Sequence, residues 1–357
     1  MHLVRLYLAL VVAGALWQLG VGARTGESES EERFIGWKGE SYRPDRVDAA
    51  APNGTNDSKR PWIQVVSWKP RAAIYHNFLS DRECKHILDL AKGQMQRSQV
   101  VGKETINDIR TSYGTFLRRN YDPVIAAIEQ RVSMWSQLPI SHQEDLQVLR
   151  YGPSHKYGPH LDGLKRAATM LMYLVEPEEG GETTFTNSEW AHPEIGKALD
   201  PTFSSCAKGH VAMKPKRGDA LLFFDRLPDL QTEDPRTMHT ACPVIKGVKW
   251  NAVKWIHDTV YDPKSWEEAK AGWAPPTPDP GWCDDFNAGC ADWAASGECE
   301  KNPGYMIGEG GQPGQCRKVC KACRVCERDD KACLSENRKK AGFGEFDEAE
   351  FKFPPGF

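Results

Sequence analysis

The spacing of apolar and polar residues changes several times along the chain. An uncharged apolar run, Leu6 to Ala23, gives way to a stretch rich in Glu, Ser, Gly, Asn and Asp, whose lack of any period predicts a disordered linker over 24–61. Helical spacing first appears behind Ser80-Asp81-Arg82-Glu83, a capping box, where Cys84, Ile87, Leu88 and Ala91 fall on one face. Cys84 is thereby expected in a core. A second helix is predicted from Asp122-Pro123, a cap followed by proline at the first helical position, with Ile125, Ile128, Val132 and Trp135 as its buried stripe.

Beyond Gln143 the runs become short and rich in strand formers: Leu146 to Tyr151, Thr169 to Val175, Glu182 to Phe185, Val211 to Lys214, Ala220 to Phe224, Thr240 to Ile245 and Trp250 to His257. Turn residues such as Gly180-Gly181 and Lys246-Gly247 separate them. This pattern predicts a mainly β sandwich or barrel with two helices packed against it. Pro275, Pro276, Pro278 and Pro280 then predict a stiff linker within 263–281.

Composition narrows the reading. A length of 357 residues allows more than one domain, and a net charge of −3 without a basic block leaves no electrostatic footprint for nucleic acid. Of eleven cysteines, Cys84, Cys206 and Cys242 are scattered, whereas the other eight crowd between Cys283 and Cys333. A large fold followed by a small disulfide module is the expectation. Arg5 ahead of the first apolar run, and Val21-Gly22-Ala23 at its end, predict a signal peptide cleaved after Ala23, with an uncleaved membrane anchor over 1–23 as the alternative. Either delivers the rest to a lumenal or extracellular space, where Asn53 and Asn56 are glycosylation acceptors.

Chemistry enters at His160-Leu161-Asp162, since residues i and i+2 of an extended strand share a face and can converge on one ion. Such a triplet is common by itself. His239 in a later strand and Lys249 beyond the next turn alter its meaning. Two histidines and one carboxylate form the facial triad of non-haem Fe(II) oxygenases, and a buried lysine is suited to the distal carboxylate of a keto acid.

Five blocks occur in order between Trp62 and Asp262: YGPHLD from Tyr157 to Asp162, RAATMLMYL from Arg166 to Leu174, EEGGET from Glu178 to Thr183, KPKRGDALLFF from Lys214 to Phe224, and HTACPVIKGVKWNAVKWI from His239 to Ile256. Together they resemble the catalytic domain of the prolyl 4-hydroxylases of plant and green-algal type, placed here over 62–262. The resemblance implies a double-stranded β-helix, or jelly roll, that uses Fe(II), 2-oxoglutarate, O2 and L-ascorbate to hydroxylate peptidyl proline in proline-rich proteins of the secretory pathway, in the endoplasmic reticulum or Golgi lumen. It implies His160, Asp162 and His239 as iron ligands and Lys249 as partner of the 2-oxoglutarate C5 carboxylate, assisted by the hydroxyls of Tyr151 and Thr183. Tyr157, Arg166, Trp255, His257 and Glu144 match positions along the peptide groove. Only Gly163, Leu164 and Lys165 separate Asp162 from Arg166, a shorter loop than in plant-type relatives, which leaves substrate preference open. A lysyl hydroxylase is the enzymatic alternative, disfavoured because those enzymes usually carry arginine where Lys249 stands. An inactive secreted binding protein is the other, and four retained polar groups argue against it.

The C-terminal cysteines resemble a ShKT domain, the fold of sea-anemone channel toxins, over 282–323. That resemblance implies Cys283 with Cys323, Cys290 with Cys316 and Cys299 with Cys320, where spacing alone leaves the pairing open. Roughly 40 residues cannot build an adequate core without such bridges. A zinc site is the alternative, disfavoured by the oxidising compartment and the lack of a nearby histidine. The module is expected to position substrate or a partner, Cys326 and Cys333 to form a further bridge, and the charged tail over 324–357 to be mobile.

Overall fold

Two antiparallel sheets face one another between Trp62 and His257 in the computed structural model, which describes residues 61–98, 110–272, 281–309, 312–327 and 329–353. The run 6–23, the linker with its acceptor asparagines and the proline run lie outside these residues, and no described helix is long and apolar enough to cross a membrane.

The large sheet comprises β1 (Trp62–Trp68), β2 (Arg71–His76), β3 (Gln96–Arg97), β4 (Tyr113–Leu117), β5 (Leu146–Tyr151), β7 (Arg166–Val175), β11 (Ala220–Phe224) and β14 (Lys249–His257), in the order β1-β2-β11-β7-β14-β5-β4-β3. The small sheet runs β10-β9-β12-β6, from Val211–Met213, Thr183–Phe185, His239–Ala241 and Tyr157–His160 respectively. A hairpin of β8 (Glu179–Gly180) and β13 (Val244–Lys246) stands beside them. This is the mainly β arrangement that the strand pattern predicts, in the jelly-roll form that the resemblance implies.

Both faces of the large sheet are covered, which explains why its central strands read as unbroken apolar runs. On β11, Ala220, Leu222 and Phe224 point into the core beneath the helices, whereas Leu221 and Phe223 pack toward the small sheet. On β7 the same parity sends Met170, Met172 and Leu174 one way and Leu171 and Tyr173 the other. Helices α1 (Asp81–Ala91) and α2 (Pro123–Ser136) cover the first face with Ile87, Leu88, Ile125, Ile128 and Val132. Their starts are fixed locally: the Ser80–Glu83 capping box is complete, and the Asp122 carboxylate accepts from the amides of Val124 and Ile125. A cap of this kind contributes about 1 kcal/mol. Cys84 lies in the core beneath α1, with its thiol pushed up to about 12 by burial.

Lys254, facing the helices from β14, meets Glu129 of α2 at 2.5 Å, and both are buried. Removing one partner would strand the other in an apolar layer at a cost of about 3–5 kcal/mol.

Three expectations need correcting. The run Thr240 to Ile245 is two strands, because Cys242-Pro243 leaves the ladder; Pro243 has no amide to donate, and its carbonyl accepts from Gly181 at 3.0 Å. The linker expected at 263 begins with helix α4 (Pro263–Lys270), capped by Asp262. The tail, expected to be mobile, is docked over its described residues 329–353. After helix α8 (Lys331–Lys340) the chain returns to the catalytic domain, where the Gly344 amide donates to the Met95 carbonyl at 2.9 Å. Phe346 and Phe351 pack edge-on against Trp250, and Phe351 joins the core beneath the helices. Glu350 accepts from Nε and Nη2 of Arg150 at 2.8 and 2.5 Å.

Disulfides Cys283–Cys323, Cys290–Cys316 and Cys299–Cys320 hold the small module around the short helices α5 (Cys290–Ala295), α6 (Glu298–Lys301) and α7 (Pro303–Met306). Cys326–Cys333 adds a fourth bridge, and Cys206–Cys242, a pairing spacing could not specify, ties a loop after α3 (Pro193–Leu199) to the segment behind β12.

Candidate active site

Strands β6 and β12 are neighbours in a register that sets His160 opposite His239, with ring centroids 4.2 Å apart. Asp162 does not lie on the strand with His160, as the sequence suggests. β6 ends at His160, and Gly163, Leu164 and Lys165, all at positive φ, turn the chain back toward Arg166. The carboxylate still reaches the imidazoles: Asp162 Oδ1 is 3.8 Å from His160 Nε2, and Oδ2 is 3.9 Å from His239 Nε2. These separations are too long for hydrogen bonds.

Each imidazole is turned by its other nitrogen. Nδ1 of His160 lies 2.9 Å from the Gly158 carbonyl and Nδ1 of His239 2.9 Å from the Thr237 carbonyl, so both Nδ1 atoms donate and both Nε2 lone pairs face the common point. Burial, reinforced by His239, holds His160 down to about 3, so it is neutral. Burial alone would raise Asp162, but His239, His160, a hydrogen bond from Thr169 and Arg166 outweigh it and keep the carboxylate ionised. The three donor atoms lie within 4.8 Å of one another, and two imidazole nitrogens with one carboxylate oxygen fit a divalent cation such as Fe(II).

Lys249 opens β14 on the side facing the small sheet, paired in register with Tyr151. It is 1% exposed, and its Nζ donates to the Gly181 carbonyl at 2.7 Å. The rings of Tyr151 and Tyr173 each lie 5.5 Å from Nζ. Among the described residues no carboxylate pairs with this ammonium: Glu182 is engaged by the Ser204 amide and hydroxyl, both at 2.8 Å. Burial lowers Lys249 to about 7, only partly opposed by Glu182. Thr183 stands at the same end and accepts a hydrogen bond from the Tyr173 hydroxyl at 3.0 Å. Gly181 sits at φ +72, a conformation that L side chains rarely adopt, and an added Cβ would meet Pro177 Cγ at 3.1 Å.

Residues 146–257, the span from β5 to β14 that holds the triad and Lys249, match the model of the 2OG-Fe(II) oxygenase superfamily. Prolyl 4-hydroxylase 2 of Arabidopsis thaliana is 42% identical over 276 residues, covering 73% of this chain and 88% of that protein. Probable prolyl 4-hydroxylase 4 of the same plant is 42% identical over 275 residues, with the same shares covered. The chain belongs to the prolyl 4-hydroxylase family. Among solved structures, the 2OG complex of a viral collagen prolyl hydroxylase from Paramecium Bursaria Chlorella virus-1 aligns with 52% of this chain and 94% of its own, at 26% identity and a TM-score of 0.40.

In this prolyl 4-hydroxylase fold the remaining candidates gather beside the triad. Arg166 donates to both oxygens of Glu144, at 2.7 and 3.2 Å, and to the Asp162 carbonyl at 3.0 Å, while its guanidinium lies 3.7 Å from the centre of the Trp255 ring. His257 meets the same Glu144 at 2.7 Å. Burial disfavours the charge on Glu144, but hydrogen bonds from His257 and Arg166 keep it below the usual carboxylate range. Tyr157 stacks on His160 with centroids 3.7 Å apart. Sequence reasoning missed Arg110, which lies over the Tyr157 ring at 4.7 Å and donates to Gln147 at 3.2 Å. It also missed Tyr173 and Thr169, which sit inside an apolar run; counting alternate residues of β7 would have put both on the site face.

Proposed function

We propose that this family member hydroxylates proline in extended proline-rich peptides, with Fe(II) held by His160, Asp162 and His239. Lys249 pairs with the C5 carboxylate of 2-oxoglutarate, and the hydroxyls of Tyr151 and Thr183 serve that same carboxylate. The observation that carries this reading is the buried Lys249, which has no carboxylate partner among the described residues, in the barrel that holds the triad. A cation is costly there unless an anionic ligand completes it.

Bound iron supplies oxidative chemistry in which 2-oxoglutarate and O2 are consumed, succinate and CO2 are released, and oxygen is delivered to the prolyl ring; L-ascorbate serves as reductant. The chain's contribution is order. Two backbone carbonyls fix the histidine tautomers, Thr169 fixes the Asp162 carboxylate, and the Arg166–Trp255 stack helps to close the site to water. An extended peptide would run past Tyr157 and the Arg166–Trp255 stack, with Glu144 and His257 beside them. The five disulfides support an oxidising compartment, consistent with substrates of the secretory pathway.

The test is incubation of the protein with Fe(II), 2-oxoglutarate and a panel of proline-rich peptides, followed by mass-spectrometric mapping of hydroxyproline. Succinate formation with no hydroxyproline in any peptide would overturn the substrate assignment.

A further inference from the structure

Asp225 has no part in the function proposed above, yet it lies close to the metal site. It follows Phe224, the last residue of β11, and its amide donates to the Ala167 carbonyl on the central strand β7 at 3.0 Å. Its carboxyl is buried, with Oδ2 2.9 Å from the Thr169 hydroxyl. That same hydroxyl is 2.6 Å from Oδ2 of Asp162. One hydroxyl therefore bridges two carboxyl groups, and a hydroxyl has one proton to give. The shorter contact assigns that proton to Asp162. The second contact then requires Asp225 to be the donor, as a neutral acid.

Two further observations agree. Oδ1 of Asp225 is buried without a hydrogen-bond partner among the described residues, an arrangement far more costly for an ionised carboxylate than for a neutral one. Burial and the nearby charge of Asp162 also hold Asp225 well above the usual carboxylate range; Glu233 adds to this, whereas Thr169 and Arg166 oppose it.

We propose that Asp225 is a positioning residue for the metal site: it donates to Thr169, which in turn donates to Asp162 and fixes the orientation of that carboxylate between the two imidazoles. Such a brace has a clear use. Asp162 stands past the end of β6, beside three consecutive residues at positive φ, so its own backbone holds it less firmly than a strand would. Thr169 belongs to β7, hydrogen-bonded on both sides by β11 and β14, and so supplies a rigid reference point.

The inference rests on the triad being the metal site, and the experiment separates the two. The full chain is titrated with Co(II) in the absence of 2-oxoglutarate, following metal affinity and the cobalt absorption bands. Wild type binds and His239→Ala does not. Thr169→Val and Asp225→Val weaken binding by about tenfold or more, the usual effect of losing a partner that orients a ligand. Thr169→Ser and Asp225→Asn, which retain a hydroxyl and a donor, stay within about threefold of wild type. Because Asp225 acts through Thr169, the Val/Val double variant binds no more weakly than Thr169→Val alone. Wild-type affinity in Thr169→Val, or an Asp225→Asn affinity as weak as that expected of Asp225→Val, overturns the relay even if Asp225→Val fails to fold. A wild-type chain that binds no cobalt overturns the metal site itself.

Discussion

Replacing Lys249 with methionine keeps most of the apolar stem and removes the charged end. If the ammonium pairs with a carboxylate of 2-oxoglutarate, its loss leaves that carboxylate unpaired where Lys249 is 1% exposed. Breaking one side of a buried pair costs about 3–5 kcal/mol, equivalent to a rise of roughly a hundred- to several-thousandfold in the 2-oxoglutarate requirement. The pH dependence follows from the same geometry. Burial sets Lys249 to about 7 before the ligand arrives, and a bound carboxylate raises it. The complex therefore holds its proton more tightly than the free protein does. Affinity for 2-oxoglutarate should be full below pH 7 and fall as pH rises above it, approaching about tenfold per unit until the complex itself loses the proton. The assay is KM for 2-oxoglutarate, read by succinate formation, from about pH 6 to about pH 9 in wild type and Lys249→Met. A wild-type KM that stays flat across that range, or a variant with the wild-type KM, would refute the pairing.

The free protein tests the same lysine with the opposite sign. Its folded-state value lies below the unfolded value of about 10.4, so Lys249→Met should be more thermally stable than wild type, by a margin that widens as pH falls from there toward 7. His239→Ala should copurify without iron and be inactive, because the triad has no spare ligand; full iron occupancy by elemental analysis would contradict the assignment. Phe351→Ala removes a ring that is 3% exposed, a change worth about 3–5 kcal/mol and roughly 10 °C in Tm. A chain truncated after Asp262 loses this ring and the Arg150 partner as well, so it should be less stable still. Scanning calorimetry of truncated and full-length protein decides that point, and equal Tm values would mean that the returning segment contributes nothing.

The parts legible in the sequence were those with local causes. A capping box and an Asp-Pro start determined α1 and α2 without reference to the rest of the molecule. The histidine pair was legible because the β6–β12 ladder sets two motif residues opposite each other. The parts missed depend on distant partners. β7 has both faces buried, so Thr169 and Tyr173 are concealed in a run without alternation, although one contacts Asp162 and the other Thr183. Asp225 ends an apolar strand and reads as a turn residue until Thr169 is found beside it. Phe346 and Phe351 sit among acidic and basic residues, so their neighbourhood looks solvated, whereas their partners Tyr113 and Trp250 lie far back in the chain.

That returning segment changes how the disulfide module is attached. A module appended by a proline linker alone would be held at one end by a single semi-rigid spacer. Here the chain leaves the catalytic domain after α4 and comes back beyond α8, whose Asn337 donates to the Gly281 carbonyl at 2.9 Å and to the Arg324 carbonyl at 2.7 Å. The helix thus clasps the start and the end of the module, and the residues after it dock on Met95, Arg150 and Trp250. With both ends held, the module samples a smaller volume than a singly tethered one. The catalytic core and the module therefore share the strap: Phe351 packs beneath the helices from the same segment that returns from the module and is also held at Met95, Arg150 and Trp250.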